Sequence, residues 1–177
     1  MFMSRQLGNV SKRSGIAGAI INSLAFAHEG GRLAGQIPLA ELPRLADVLV
    51  DTEGVIDCEL AGEQDRGDKA YLLLRLAGCL KLRCQRCLET VEVALQVSSR
   101  FLLVPPGQPW PDDELAEDGF DAIAAEMEMA LLPLIEDEVL LALPIAPRHQ
   151  TCKVPAAYVE GNGPSPFAVL GKLKKGV

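Results

Sequence analysis

From Val55 to Val104 apolar and polar residues alternate in three successive runs. A period of two sustained that long commits the segment to half-buried β-strands. In "VIDCEL" (55–60), Ile56, Cys58 and Leu60 share one face, with Asp57 and Glu59 on the other. In "AYLLLRLAGCLKLRC" (70–84), Leu72, Leu74, Leu76, Leu80 and Leu82 lie opposite Arg75, Cys79, Lys81 and Arg83, and Gly78 marks a bulge or bend. In "ETVEVALQVSSRFLLV" (89–104), Val91, Val93, Leu95, Val97, Phe101 and Leu103 face away from Glu92, Gln96, Ser98 and Arg100. The polar turn "GEQDRGDK" and the knuckle "CQRC" join the runs closely, so they predict an antiparallel meander with one wet face.

Helical spacing is confined to the flanks. Leu39, Leu42, Leu45, Ala46 and Leu49 in "PLAELPRLADVLV" predict a helix with Pro43 in its first turn. "LPLIEDEVLLALP" predicts a second, short helix with Pro133 near its start. "SLAFA" before a Gly-Gly turn and "AAEMEMALL" read as further strands. The fold class is therefore α+β: an antiparallel β-meander, open to barrel-like closure, with a few short helices. Residues 1–30 form an N-terminal arm or strand and residues 31–153 one α+β domain. Within it, the Pro-rich acidic stretch 105–120 is a mobile loop, and residues 154–177 are a tail.

Charge is unevenly spread. The net charge is −7, yet the stretch from Phe101 to Pro147 has no Lys or Arg and holds 11 of the 24 acidic residues. An acidic segment thus sits on a mildly basic body. Lys81, Arg83, Arg86 and Arg100, together with Arg75, fall on one face or end of the meander, and Lys172, Lys174 and Lys175 close the chain. For each, a solvated surface is the default; as a cluster they suit contact with RNA phosphate. Two Tyr, one Trp and five Phe are too few for a base-stacking platform.

Five cysteines, an odd number without the spacing of a small secreted framework, fit a reducing compartment. The run "GIAGAIINSLAFA" after Arg5, Lys12 and Arg13 mimics an export signal. It is broken by Asn22 and Ser23 and too short to span a bilayer of about 20 residues, so the location expected is the cytoplasm and no membrane contact is expected. Cys84-x-x-Cys87 and His149-x-x-Cys152 each suit a chelate, and together they supply the four N/S ligands of a closed structural zinc site. The plainer reading, reduced thiols at a hairpin and a surface histidine, stays open beside it. Arg86 within the first pair would stabilise thiolate. Cys58 reads as a small core hydrophobe and Cys79 carries no chemistry.

Catalysis finds little purchase: two histidines, no nucleophile elbow and no phosphate loop before a helix. Glu136, Asp137 and Glu138 fan across about 200° of a helix and read as a solvated face. The rival reading is a zinc-dependent regulator or small metalloenzyme using the Cys/His cluster.

"CQRC" at 84–87, "LIEDEVLLALPIAPRH" at 134–149 with Cys152 just after, and "PFAVLGKLK" at 166–174 carry a resemblance. In this order, from about Ile56 onward, the chain resembles the bacterial YceD-type large ribosomal RNA subunit accumulation proteins. The resemblance implies a non-enzymatic cytoplasmic factor for the synthesis, processing or stability of large-subunit ribosomal RNA. Its partners would be the precursor of that RNA, ribosomal proteins, or both.

Overall fold

The computed structural model describes residues 15–111 and 119–155, and the alternating segment is its centre. The strands are β1 (Ile20–Ile21), β2 (Arg32–Pro38), β3 (Val55–Gln64), β4 (Ala70–Arg83), β5 (Thr90–Val104), β6 (Asp121–Ala124) and β7 (Met129–Ala130); the α-helices are α1 (Ser23–His28) and α2 (Leu131–Ala142). Five strands form one open sheet in the order β2-β3-β4-β5-β6, and β1 pairs with β7 in a separate two-stranded ribbon. β3, β4 and β5 are antiparallel, as the meander predicts, and β2, which the sequence pattern does not predict, adds a fourth antiparallel strand beside β3. β6 then joins β5 in parallel over Phe101–Val104. With β2 and β6 at its ends the sheet does not close, so no barrel forms.

The alternation maps directly onto two faces. Ile56, Cys58, Leu60, Leu72, Leu74, Leu76, Leu80, Leu82, Leu95 and Phe101 are all buried on the inner face. Gly78 lies in unbroken register opposite Ile56 and Leu95, so there is no bulge. Its role is close approach: a Cβ there would meet the Val55 carbonyl oxygen at 3.2 Å.

Against this face pack α1, α2 and the loop after β2. In α2, Leu131, Ile135 and Val139 form the buried stripe. Pro133 falls within the first turn, where its missing N–H costs nothing. The predicted helix over 38–50 is instead two 3-10 turns, Leu39–Glu41 and Pro43–Leu45. Pro43 forces the preceding Leu42 out of helical geometry, to φ −109° and ψ 79°. The apolar spacing still serves burial: Leu39, Leu42 and Leu45 are almost wholly covered.

"SLAFA" is helical, not a strand. Asn22 is its N-cap, accepting from the Ala25 amide at 3.0 Å, and Ser23 bonds the Glu126 backbone both ways. The Asn that interrupts the signal-like run is thus a helix start, and Ile16, Ala17, Ala19, Ile21 and Ala27 of that run belong to the core. "AAEMEMALL" is not one strand: β7 is a two-residue bridge to β1, and α2 begins at Leu131. No helix among the described residues is long and apolar enough to cross a membrane. Much of the loop 105–120 and the tail beyond residue 155, with Lys172, Lys174 and Lys175, lies outside the described residues.

Candidate functional site

β4 runs out at Arg83, and the chain turns through Cys84-Gln85-Arg86-Cys87 before β5 starts at Thr90. The knuckle is closed by the Cys84 amide donating to the Glu89 carbonyl at 2.8 Å and the Leu88 amide donating to the Cys84 carbonyl at 2.9 Å. Leu88 completes the turn at φ +66°, a left-handed conformation that a branched-chain residue adopts at a cost.

The segment after α2 comes back to this turn. The Gln85 amide donates to the Pro147 carbonyl at 2.8 Å, which sets His149 and Cys152 beside the knuckle. The four ligand atoms of Cys84, Cys87, His149 and Cys152 all lie within 4.8 Å of one another. Cys84 is fully buried and the other three are half-buried.

The spacing suits a tetrahedral ion. Sulfurs bound at about 2.3 Å to such an ion stand about 3.8 Å apart, and a sulfur and a ring nitrogen slightly less. The Cys84 and Cys152 sulfurs are 3.7 Å apart, and the Cys87 sulfur is 3.3 Å from His149 Nδ1. His149 turns Nδ1 inward because its Nε2 meets the Thr90 carbonyl oxygen at 2.9 Å, the arrangement of a ligating imidazole held by a backbone acceptor. These residues could hold a metal ion.

The electrostatics prepare the same site. Burial pushes the Cys84 thiol up, but amide hydrogen bonds from the backbone of Cys87, Arg86 and His149 outweigh it and bring the thiol down to about 5. In Cys87 the Glu89 amide works to lower the thiol, yet burial and the neighbouring Cys84 and Cys152 sulfurs leave it raised. Of these two knuckle thiols, Cys84 is therefore the one that takes negative charge more readily. The Cys152 and Cys84 sulfurs raise the His149 ring above its ordinary value. Arg86 donates from Nε to the Cys152 sulfur at 2.9 Å and from its terminal nitrogen to the His149 carbonyl at 2.7 Å. Its own pKa rises, chiefly through Cys152.

Among the described residues, several of the basic side chains singled out in the sequence have partners of their own. Lys81 is held by Asp51 at 3.0 Å and Glu53 at 3.4 Å. Arg86 belongs to the Cys/His cluster, and Arg100 lies 3.9 Å above the Tyr71 ring, near the far end of β5. Arg83 is exposed beside the knuckle, and so are Arg148 and Lys153, each adjacent in sequence to a cluster residue. The Glu136–Glu138 side of α2 is not uniformly solvated: Glu136 is 3% exposed and accepts the Arg44 backbone amide at 2.8 Å. Glu138 accepts from the Ser99 hydroxyl. Sequence reasoning missed both, since nothing local to the helix says that β5 and the 3-10 turns supply donors there.

The family model described as Large ribosomal RNA subunit accumulation protein YceD matches residues 72–174, a span that contains all four cluster residues. A relative of that name from Haemophilus influenzae is 28% identical over 147 residues, covering 76% of this chain and 83% of its own length. No solved structure matches. With more than half of its length matched by that model, the chain belongs to the YceD family of large ribosomal RNA subunit accumulation proteins.

Proposed function

We propose that the protein is a non-catalytic cytoplasmic factor for the accumulation of large-subunit ribosomal RNA, and that Cys84, Cys87, His149 and Cys152 hold a structural zinc ion. The names of its family and its relative support the first part. The observation that carries the second is the convergence of two chelating pairs some sixty residues apart to within 4.8 Å. Three sulfurs and one imidazole are a donor set that favours zinc, and four protein ligands leave no position for a reacting water. The ion would pin the β4–β5 hairpin to the segment after α2.

The exposed cations around this end, Arg83, Arg148 and Lys153, are the phosphate contacts we assign, together with Lys172, Lys174 and Lys175. Lys81, Arg86 and Arg100 have closer occupations and contribute to the surface only secondarily. The domain at 31–153 presents this end to the RNA.

Two measurements test the reading separately. Elemental analysis of purified protein is expected to give one zinc per chain, lost in the Cys87→Ser variant; a metal-free wild type defeats the zinc assignment. The protein is expected to co-sediment with large-subunit precursors, and its depletion to lower large-subunit ribosomal RNA. Absence of both effects defeats the functional assignment whatever the metal content.

A further inference from the structure

α2 ends at Ala142, and from Leu140 to Pro147 the chain, "LLALPIAP", carries no polar side chain. Leu141 is nonetheless 79% exposed and Ile145 wholly exposed. Facing this run across a groove of about 660 Å³ are Asp47 to Val50, where Val48 and Val50 are also exposed. The end of β4 joins the two sides. The Val50 amide donates to the Lys81 carbonyl at 2.8 Å, and the Gln85 amide to the Pro147 carbonyl at 2.8 Å. Leu49 and Leu82, both buried, line the groove between them. Exposed aliphatic side chains gathered along one groove mark a docking surface.

We propose that residues 166–170 of the same chain, "PFAVL", occupy this groove and set Lys172 on its Asp47 side. The last described residue, Pro155, is three positions beyond Cys152. The Cys152 sulfur is 3.7 Å from that of Cys84, whose neighbour Gln85 lines the groove. The ten residues 156–165 span up to about 33–36 Å when extended, so the segment reaches the groove with chain to spare. Beyond Pro155, Phe167, Val169 and Leu170 are the densest run of large apolar side chains, and Lys172, Lys174 and Lys175 follow them directly. Asp47, on the groove, is exposed and its carboxylate has no partner among the described residues, so it complements that charge. Arg83, on the β4 side, repels lysines and directs them towards Asp47. The family match runs past the domain to residue 174, so it takes in this segment together with the domain. A segment tethered this closely meets the groove at about millimolar effective concentration, an advantage that no second molecule has. The docking needs neither a bound ion nor RNA.

Photocrosslinking tests the occupant directly. A full-length chain carrying p-benzoylphenylalanine in place of Phe167 is expected, on irradiation, to link that position to peptides holding Val48, Val50 or Ile145. An equal mixture of isotope-labelled and unlabelled protein should show the links to lie within single chains, as read by mass spectrometry. Native chymotrypsin digestion supplies a second measurement, since cleavage follows the population of the undocked segment. Ile145→Asp changes a wholly exposed side chain and so leaves the core intact. It should speed cleavage after Phe167 and Leu170 about tenfold, through the loss of one aliphatic contact, and leave cleavage within the domain unchanged. Absence of links, or links only outside the groove or only between chains, overturns the proposal. So do equal cleavage rates in both proteins, or a rise along the whole chain; the groove would then belong to a second copy or to another protein.

Discussion

Arg86 Nε lies 2.9 Å from the Cys152 sulfur, a contact between residues 66 apart in sequence. One guanidinium thereby touches the second chelating pair from inside the first. Three thiolates and a neutral imidazole around a divalent ion carry one net negative charge, which Arg86 offsets. It also holds the His149 carbonyl, so it fixes the ligands in place as well as balancing them.

Arg86→Ala is therefore expected to weaken metal binding by about 10- to 100-fold, the usual effect of losing a group that orients ligands. Chelator competition measures it. Arg86→Lys keeps the charge but loses the fork that reaches sulfur and carbonyl together, and should fall between. Wild-type retention in both variants would show that the guanidinium only decorates the site.

Thiol reactivity distinguishes the five cysteines. Burial, aided by the neighbouring Glu59, pushes the Cys58 thiol up to about 12, whereas Cys79 is exposed. Alkylation of the metal-loaded protein near pH 8 should modify Cys79 alone. Adding a chelator should open Cys84, Cys87 and Cys152, and Cys58 should respond only to denaturant. Mass spectrometry of the modified peptides reads the order. Equal reaction of the cluster before and after chelation would argue that no ion protects it.

Glu136 ties α2 to the turn at Arg44 through a buried bond. Glu136→Leu leaves the Arg44 amide without its acceptor and is expected to cost about 1–3 kcal/mol in urea unfolding. Glu136→Gln retains an acceptor and should cost less. Asp137, half exposed and paired with the Arg44 side chain at the surface, should matter far less when replaced by Ala.

β3, β4 and β5 were legible because each carries its own signal: alternating residues from Ile56 to Leu103 decide which face is buried regardless of distant contacts. β2 and β6, at the two ends of the sheet, carry no such alternation and were not predicted. The four cluster residues were legible for a similar reason, since chelating pairs are local in sequence. What failed depended on backbone geometry or on remote partners. Pro43 divided one helix into two tight turns by its effect on Leu42. "SLAFA" looked like a strand, although Asn22 before it carried the cap signature that could have corrected the reading. The engagement of Lys81 and the burial of Glu136 come from residues 30 and 92 positions away, and no local pattern contains them.

The Lys81–Asp51 pair gives a pH dependence whose sign can be worked out. The Lys81 side chain holds Asp51 below the ordinary carboxylate value, while Asp51 and then Glu53 hold Lys81 above the ordinary ammonium value. The lowered Asp51 contributes stability that is present above its unfolded pKa and lost as pH falls through the folded one. The raised Lys81 contributes stability that is present below its unfolded pKa and lost as pH rises through the folded one. Asp51→Asn removes the main partner of Lys81, so wild type should unfold at a higher temperature than the variant. That gap should be constant from about pH 5 to about pH 10 and narrow on both sides. Both side chains are 34% exposed, so 1 M salt, with a Debye length of about 3 Å, should remove most of the gap. Thermal melts of the two proteins across pH and salt provide the measurement. A gap that persists unchanged in acid or in salt would mean that Asp51 acts through its turn, where it accepts the Glu53 amide at 3.1 Å, and not through Lys81.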